Sequence, residues 1–370
     1  MTTQLTSGID TLVLALDVSW QEDRFFRWLE SIKEKAFAEQ KDSPGVVHYR
    51  DKKNKWMFSV KPYGIRGYEW FLSSKDFTMR IGNWIEPKSR PSIMVEISSE
   101  ALWRLGASEI FERIVEIIKA CGGIVVTAKI SRVDLCMDIL LEESEWQYTN
   151  LEESKVCKAK KYGCVNGGKR LETFWVGLGD LKARLYDKVA EIESKSKKYW
   201  MYDIWKIKKD EIRDDQRVIR VEFQLRREVI KELGAGDASA FFMKIDEVWA
   251  YCTQEWLQFK DNPEREHKYR NTLPWWKVVQ QNFLGVQDSN PAVREKAIKV
   301  DKEQLLAQIT GLSSSLTALE MEENSVDPLD LKIEPWMIKV IESLKLTGYE
   351  LNEYRENVIR KRARYSRYIN

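Results

Sequence analysis

The sequence predicts an α+β fold: a mostly antiparallel sheet with helices packed on one face, plus a helical C-terminal extension. Three stretches carry that prediction: Ser131–Leu140, Leu181–Glu193 and Val218–Arg227. Each alternates with a period of two, which gives a strand one buried and one polar face. Val133, Leu135 and Met137 oppose Arg132, Asp134, Cys136 and Asp138. Ala183, Leu185 and Asp187 oppose Arg184, Tyr186 and Lys188, while Val221, Phe223 and Leu225 oppose Arg220, Glu222, Gln224 and Arg226. Side by side, these strands give one surface with three carboxylates, a tyrosine, a lysine and several arginines. Charged strand faces are ordinary where a sheet meets water, so alternation alone does not separate a site from a solvated surface.

The remaining elements follow in order. Residues 11–18 read as a buried strand, and Ser19 with Glu22 reads as a capping box opening a helix over Trp20–Glu39. Short strands follow at Trp56–Lys61, Tyr68–Ser73, Phe77–Ile81 and Ser92–Ile97, punctuated by Gly64, Gly67, Gly82 and Pro91. Ser108–Ala120 is helical, with isoleucines on one side, and stops at Gly122-Gly123. Ile124–Leu140 is one long strand or a strand pair. Residues 142–170 read as a polar, lysine-rich stretch, followed by a hairpin of Glu172–Val176 and the tyrosine strand with Gly177 and Gly179 in its turn. A helix begins near Ala190, Lys195–Lys209 reads as an insertion, and Ala238–Leu257 is helical. Pro263, Pro274-Trp275-Trp276 and Pro291 mark a linker, and Lys302–Met321 and Pro335–Leu346 show helical periodicity. The expected division is an N-terminal α+β subdomain over 1–123, a catalytic subdomain over 124–260, and a helical extension with a basic tail over 261–370.

Composition bounds the function. A formal charge of +2 is too small to announce nucleic-acid binding, so any DNA footprint must be local. Five cysteines without metal-finger spacing point to a reducing cytoplasm, and no apolar run approaches the roughly 20 residues needed to cross a bilayer. Only two histidines exist, His48 and His267, far apart in sequence, which disfavours a histidine-rich zinc site. A metal here would rest on carboxylates, hence Mg²⁺ or Mn²⁺.

The candidate chemistry centres on Tyr186. A free phenol, with a pKa of about 10, is a poor nucleophile at neutral pH. Cations that favour the phenolate and a metal that polarises a phosphate make it competent, and Arg184 and Lys188 stand two residues to either side on the same face. Asp134 and Asp138 lie roughly 13 Å apart along their strand, so a metal joins one of them to Glu222 more readily than it joins the pair. The competing reading pairs Asp134 with an arginine such as Arg220 across strands. Tyr162, Tyr199 and Tyr202 fall in less well ordered stretches and are weaker nucleophile candidates. Lys160 and Lys161 lie in one local basic stretch and Arg362 and Arg364 in another, both able to neutralise phosphates.

Three motifs in order sharpen this reading. They are Arg132-Val133-Asp134-Leu135 with Asp138, then Arg184-Leu185-Tyr186-Asp187-Lys188, then Arg220 through Arg227 with Glu222 inside. Together with Thr173–Gly177 before the tyrosine strand, they resemble the Rep_trans family, the rolling-circle replication initiators of plasmids and phages with related mobile-element relaxases. The likeness covers about Ile124–Leu233. It implies a nickase in which Tyr186 joins the 5′ phosphate of origin DNA and leaves a free 3′ hydroxyl. It implies Mg²⁺ or Mn²⁺ on Asp134, Asp138 and Glu222, with Arg184 and Lys188 at the scissile phosphate and Arg220 and Arg226 as further DNA contacts. It also implies a homodimer with a host helicase as partner. A relaxase nicking a transfer origin and a non-catalytic DNA-binding regulator are the alternatives.

Overall fold

The computed structural model describes residues 2–294, except 51, 168, 169, 282, 287 and 288, together with 309. The chain runs β1 (Thr3–Trp20), α1 (Arg24–Glu39), β2 (Ser43–Tyr49), β3 (Asn54–Val60), β4 (Trp70–Ser73), β5 (Phe77–Ile81) and β6 (Ile93–Ile97). It continues through α2 (Ser99–Leu105), α3 (Ala107–Ala120), β7 (Gly123–Glu142), α4 (Tyr148–Ser154), β8 (Lys155–Cys157), β9 (Tyr162–Gly167), β10 (Arg170–Val176) and β11 (Leu181–Asp187). There follow α5 (Lys188–Glu191), α6 (Met201–Trp205), β12 (Gln216–Arg226), α7 (Arg227–Glu232), α8 (Ala238–Met243), α9 (Ile245–Ala250), β13 (Leu257–Phe259) and α10 (Pro274–Gln280).

Eleven strands form one antiparallel sheet in the order β2-β3-β4-β5-β6-β1-β7-β12-β11-β10-β9, and β8 pairs with β13 apart from it. Its centre is β1 and β7, which pair along nearly their whole lengths. Leu12, Val13, Leu14, Ala15 and Leu16 of β1 are all buried, a continuous apolar run of the kind expected of a strand covered on both faces. A single sheet therefore crosses residue 123, and the first compact unit extends to Glu295. The helical expectations at Lys302–Met321 and Pro335–Leu346 lie outside the described residues, as do Arg362 and Arg364.

One face of the sheet is buried beneath α1, α3 and α7–α10. The isoleucine side of α3 (Ile110, Ile114, Ile117 and Ile118) joins Leu12, Val133, Val221 and Leu185 in one core. The other face carries the polar rows, and helices are not absent from it. The segment from α5 through α6 packs against it, and Ile192, Met201, Trp205 and Val218 make a small second core there. The expected insertion at Lys195–Lys209 thus contributes α6 to a cover over part of the polar face.

Several expectations are corrected. The Ser19–Glu22 capping box does not form: β1 continues to Trp20, the Ser19 hydroxyl donates to Glu86 at 2.9 Å, and α1 begins after Asp23. The pull of a long strand pairing with β7 outweighs a local capping signal. Of the two readings of Ile124–Leu140, the single long strand holds, since the whole stretch lies within β7. The polar stretch 142–170 contains the edge strand β9, with Tyr162 at its start. Pro274-Trp275-Trp276 is no linker. Pro274 opens α10, where its missing N–H costs no intrahelical bond. Trp275 and Trp276 are core residues packed against Phe259, one tilted and one edge-on to its ring, and the Trp276 indole donates to the Thr253 carbonyl at 3.0 Å.

Trp276→Ala is therefore expected to lower folding stability by about 3–5 kcal/mol through the lost burial and the cavity left behind. Urea unfolding is the measurement, and a linker residue would show almost no change.

Candidate active site

The site follows from strand register. Across β11, β12 and β7, Tyr186 lies opposite Arg220 and Arg220 opposite Asp138. One row along, Arg184 lies opposite Glu222 and Glu222 opposite Cys136, and in the next row Lys182, Gln224 and Asp134 align. All these side chains share the polar face because residues two apart on a strand point the same way. Glu222 is thus flanked by Tyr186 and Arg184 on one side and lies one row from Asp134.

The Tyr186 hydroxyl donates to Glu222 Oε2 at 2.8 Å, and Arg184 donates to Glu222 Oε1. The same Arg184 terminal nitrogen stands 3.6 Å from Asp134 Oδ2. Asp134 is also clamped by Arg132, at 2.9 Å from Nε and 2.5 Å from the terminal nitrogen. Asp134 and Glu222 keep only 2% and 3% side-chain exposure, whereas Arg184 keeps 34% and opens the cluster to solvent. Tyr186 is half-buried between them.

The electrostatics differ from the expectation at one point. Burial, followed by the Glu222 carboxylate, pushes the Tyr186 phenol well above its ordinary value. The neighbouring cations do not make a resting phenolate. Tyr186 is a neutral phenol whose proton already lies on the line to a carboxylate, the arrangement of a nucleophile with its general base. Burial also raises the Glu222 carboxyl, against the pull of Arg184.

The expected metal set divides. Asp138 is committed elsewhere: Arg220 grips both its oxygens at 2.6 and 2.7 Å, and the Trp205 indole donates to one of them at 2.8 Å. Among the described residues no group of three or more His, Cys, Asp or Glu side chains is arranged to hold a metal ion. Asp134 and Glu222 do fit part of one, because an oxygen of each converges on the single nitrogen of Arg184. Two carboxylates, with water and phosphate oxygens completing the shell, are an ordinary Mg²⁺ or Mn²⁺ arrangement.

Arg220 corrects the list of DNA contacts. It has no exposed surface and is held by Asp138 and, at 2.8 Å, by Asp10, so it has no face to offer a phosphate. The competing reading, a cross-strand pair of Asp134 with Arg220, is corrected: Asp134 is held by Arg132 of its own strand with Arg184 approaching across strands at 3.6 Å, and Arg220 takes Asp138. Lys188 is 1% exposed and bonds Glu191 at 2.7 Å, with its ammonium 5.6 Å from the Tyr186 ring centre. Arg226, Lys160 and Lys161 are exposed. Arg226 stands opposite Arg132, at the end of the polar face that α5 and α6 leave open.

Asp10 is the residue that sequence reasoning missed. The β1–β7 register shifts between Ile9 and Thr11, so Asp10 is an extra residue whose side chain is re-aimed onto the polar face. It accepts from Arg220 and from the Ser99 hydroxyl at 2.8 Å, with Lys198 at 3.6 Å. The available signal was an acid just before the apolar run Leu12–Leu16. Gly8 beside it is also required: a Cβ there would come 2.7 Å from the Trp103 ring of α2.

Burial alone would raise the Asp10 carboxyl, but Arg220, Lys198 and Lys188 overcome it and hold the group well below the carboxylate range. A depressed folded-state pKa contributes stability above the unfolded value of about 3.9, and that contribution is lost as pH falls below it. Asp10→Asn is expected to cost about 2 kcal/mol at pH 7, with the difference shrinking steadily below about pH 4. Urea unfolding across pH reads it, and a difference independent of pH would contradict the assignment. No known family model and no curated protein matches the sequence.

Proposed function

We propose that this chain nicks one strand of origin DNA through a covalent phosphotyrosine at Tyr186 and so starts rolling-circle replication. The observation that carries the reading is the 2.8 Å hydrogen bond from the Tyr186 hydroxyl to Glu222, beside a guanidinium shared with Asp134. A nucleophile, a base and a cation meet there on a rigid sheet, which holds such groups more firmly than loops do.

As the phenol proton passes to Glu222, the phenol oxygen attacks the phosphorus and the bond to the 3′ oxygen breaks. That oxygen takes a proton from water and leaves as the 3′ hydroxyl, and the 5′ phosphate stays on Tyr186. Reversal by a new 3′ hydroxyl rejoins the strand. Arg184, one-third exposed, is placed to neutralise charge that develops on the phosphate. A divalent ion on Asp134 and Glu222 would add Lewis-acid polarisation of the same phosphate. Arg132, Lys182 and Arg226 line the open part of this face, with Trp175 opposite Arg184 in the neighbouring strand. Cations interleaved with an aromatic ring suit a single strand held by its phosphates and a stacked base.

A relaxase acting at a transfer origin would use identical chemistry. The closed ion network around Glu222 also suits a DNA-binding regulator that does not cut. Incubation with Mn²⁺ and supercoiled DNA of the encoding replicon separates these readings. Wild type is expected to form a protein–DNA adduct that survives denaturing electrophoresis, Tyr186→Phe none, and Glu222→Gln an adduct at least about a hundredfold more slowly. An adduct retained by Tyr186→Phe would refute the assignment, and a wild-type protein that binds this DNA without cutting it would favour the regulator.

A further inference from the structure

We propose that Arg184 is the resting occupant of the cation seat between Asp134 and Glu222, and that a divalent metal ion enters by exchanging with its guanidinium. This inference rests on the nicking reading only for its biological purpose. Its physical basis is separate.

Three observations carry it. First, the Asp134 and Glu222 oxygens meet at one Arg184 terminal nitrogen, the point where a cation binding both would sit. Second, the two carboxylates are unequally served. Asp134 has a second cation in Arg132, whereas Glu222 has the Tyr186 hydroxyl and no other ion pair among the described residues. Without Arg184, Glu222 would be a buried carboxylate lacking a counter-ion, which is strongly unfavourable until another cation arrives. Third, Arg184 is itself incompletely satisfied: its Nε is buried with no hydrogen-bond partner. A side chain that is one-third exposed and imperfectly bonded can leave, while Arg220, fully buried and bonded on three sides, cannot.

The exchange has a functional consequence. A metal ion that displaces the guanidinium leaves it tethered beside Tyr186, where its donors are free for a phosphate oxygen. Metal loading and phosphate grip would then be coupled through one side chain. In the metal-free state the same side chain keeps the carboxylates compensated and the seat closed.

The test is an Mn²⁺ titration of the full chain, read by electron paramagnetic resonance of free Mn²⁺ and by thermal melting, with the adduct assay run in parallel. Without metal, Arg184→Gln is expected to melt below wild type. Because a tethered competitor is gone, it is expected to bind Mn²⁺ at least about tenfold more tightly, with the melting temperature restored. Arg184→Lys keeps the charge and is expected to stay near wild-type affinity, while Glu222→Gln loses the site. In wild type, Mn²⁺ is also expected to speed phenylglyoxal modification of Arg184 several-fold by mass spectrometry, a reading that needs no variant to fold. If Arg184→Gln binds Mn²⁺ no more tightly while Glu222→Gln still abolishes binding, the exchange is overturned and the nicking reading stands. An unchanged phenylglyoxal rate overturns the exchange as well. A wild-type protein that shows the exchange but forms no adduct would instead sink the nicking reading.

Discussion

Arg220 sits in the middle of an 11-stranded sheet with no exposed surface, and a guanidinium there must be neutralised by its neighbours. Asp138 supplies two hydrogen bonds from β7 and Asp10 a third from the bulge in β1. Three strands are thereby tied in one register, and a one-residue slip in any of them would leave a buried charge alone. Trp205 and Met201 close over the same group from the segment between β11 and β12. The periodic face thus has two halves with different duties. One holds charge out of water to fix the fold, and the other keeps Arg132, Arg184 and Tyr186 within reach of solvent.

The open half works through the two oxygens of one carboxylate. Glu222 accepts the Tyr186 hydroxyl on Oε2 and the Arg184 guanidinium on Oε1, so the phenol hydrogen bond and the cation contact fall on different oxygens of the same group. The raised phenol pKa fits that division. A tyrosine that ionised at rest would compete with Glu222 for the guanidinium. A neutral one donates to it and leaves the charge balance intact.

Much of this was legible in the sequence, and the exceptions share a cause. Period-two alternation identified β7, β11 and β12 and the residues on their polar face, because alternation is a property of one strand. The offset between strands was not readable, and it decides which carboxylate meets which arginine. Asp134 and Asp138 look equivalent on paper, yet their partners lie in different rows of the sheet. The bulge at Asp10 is invisible for the same reason, since an extra residue shows only against a paired strand. Trp275 and Trp276 were misplaced because a proline read as a break was an N-terminal helix residue. Ser19 was misplaced because a capping signal four residues long yielded to β1, paired along its length with β7.

The position of β1 also shapes how the chain matures. Its apolar residues from Leu12 to Val18 have neighbours in β6 and β7, and β7 is complete only at Glu142, about 120 residues after β1 ends. At roughly 5–20 residues per second, a ribosome needs some 6 to 25 s to deliver that partner. Until then the central strand has only the short β6 beside it along Leu12–Leu16, and its edge toward β7 stays open, so a nascent chain of this design depends on shelter from chaperones more than one whose first strand lies at an edge.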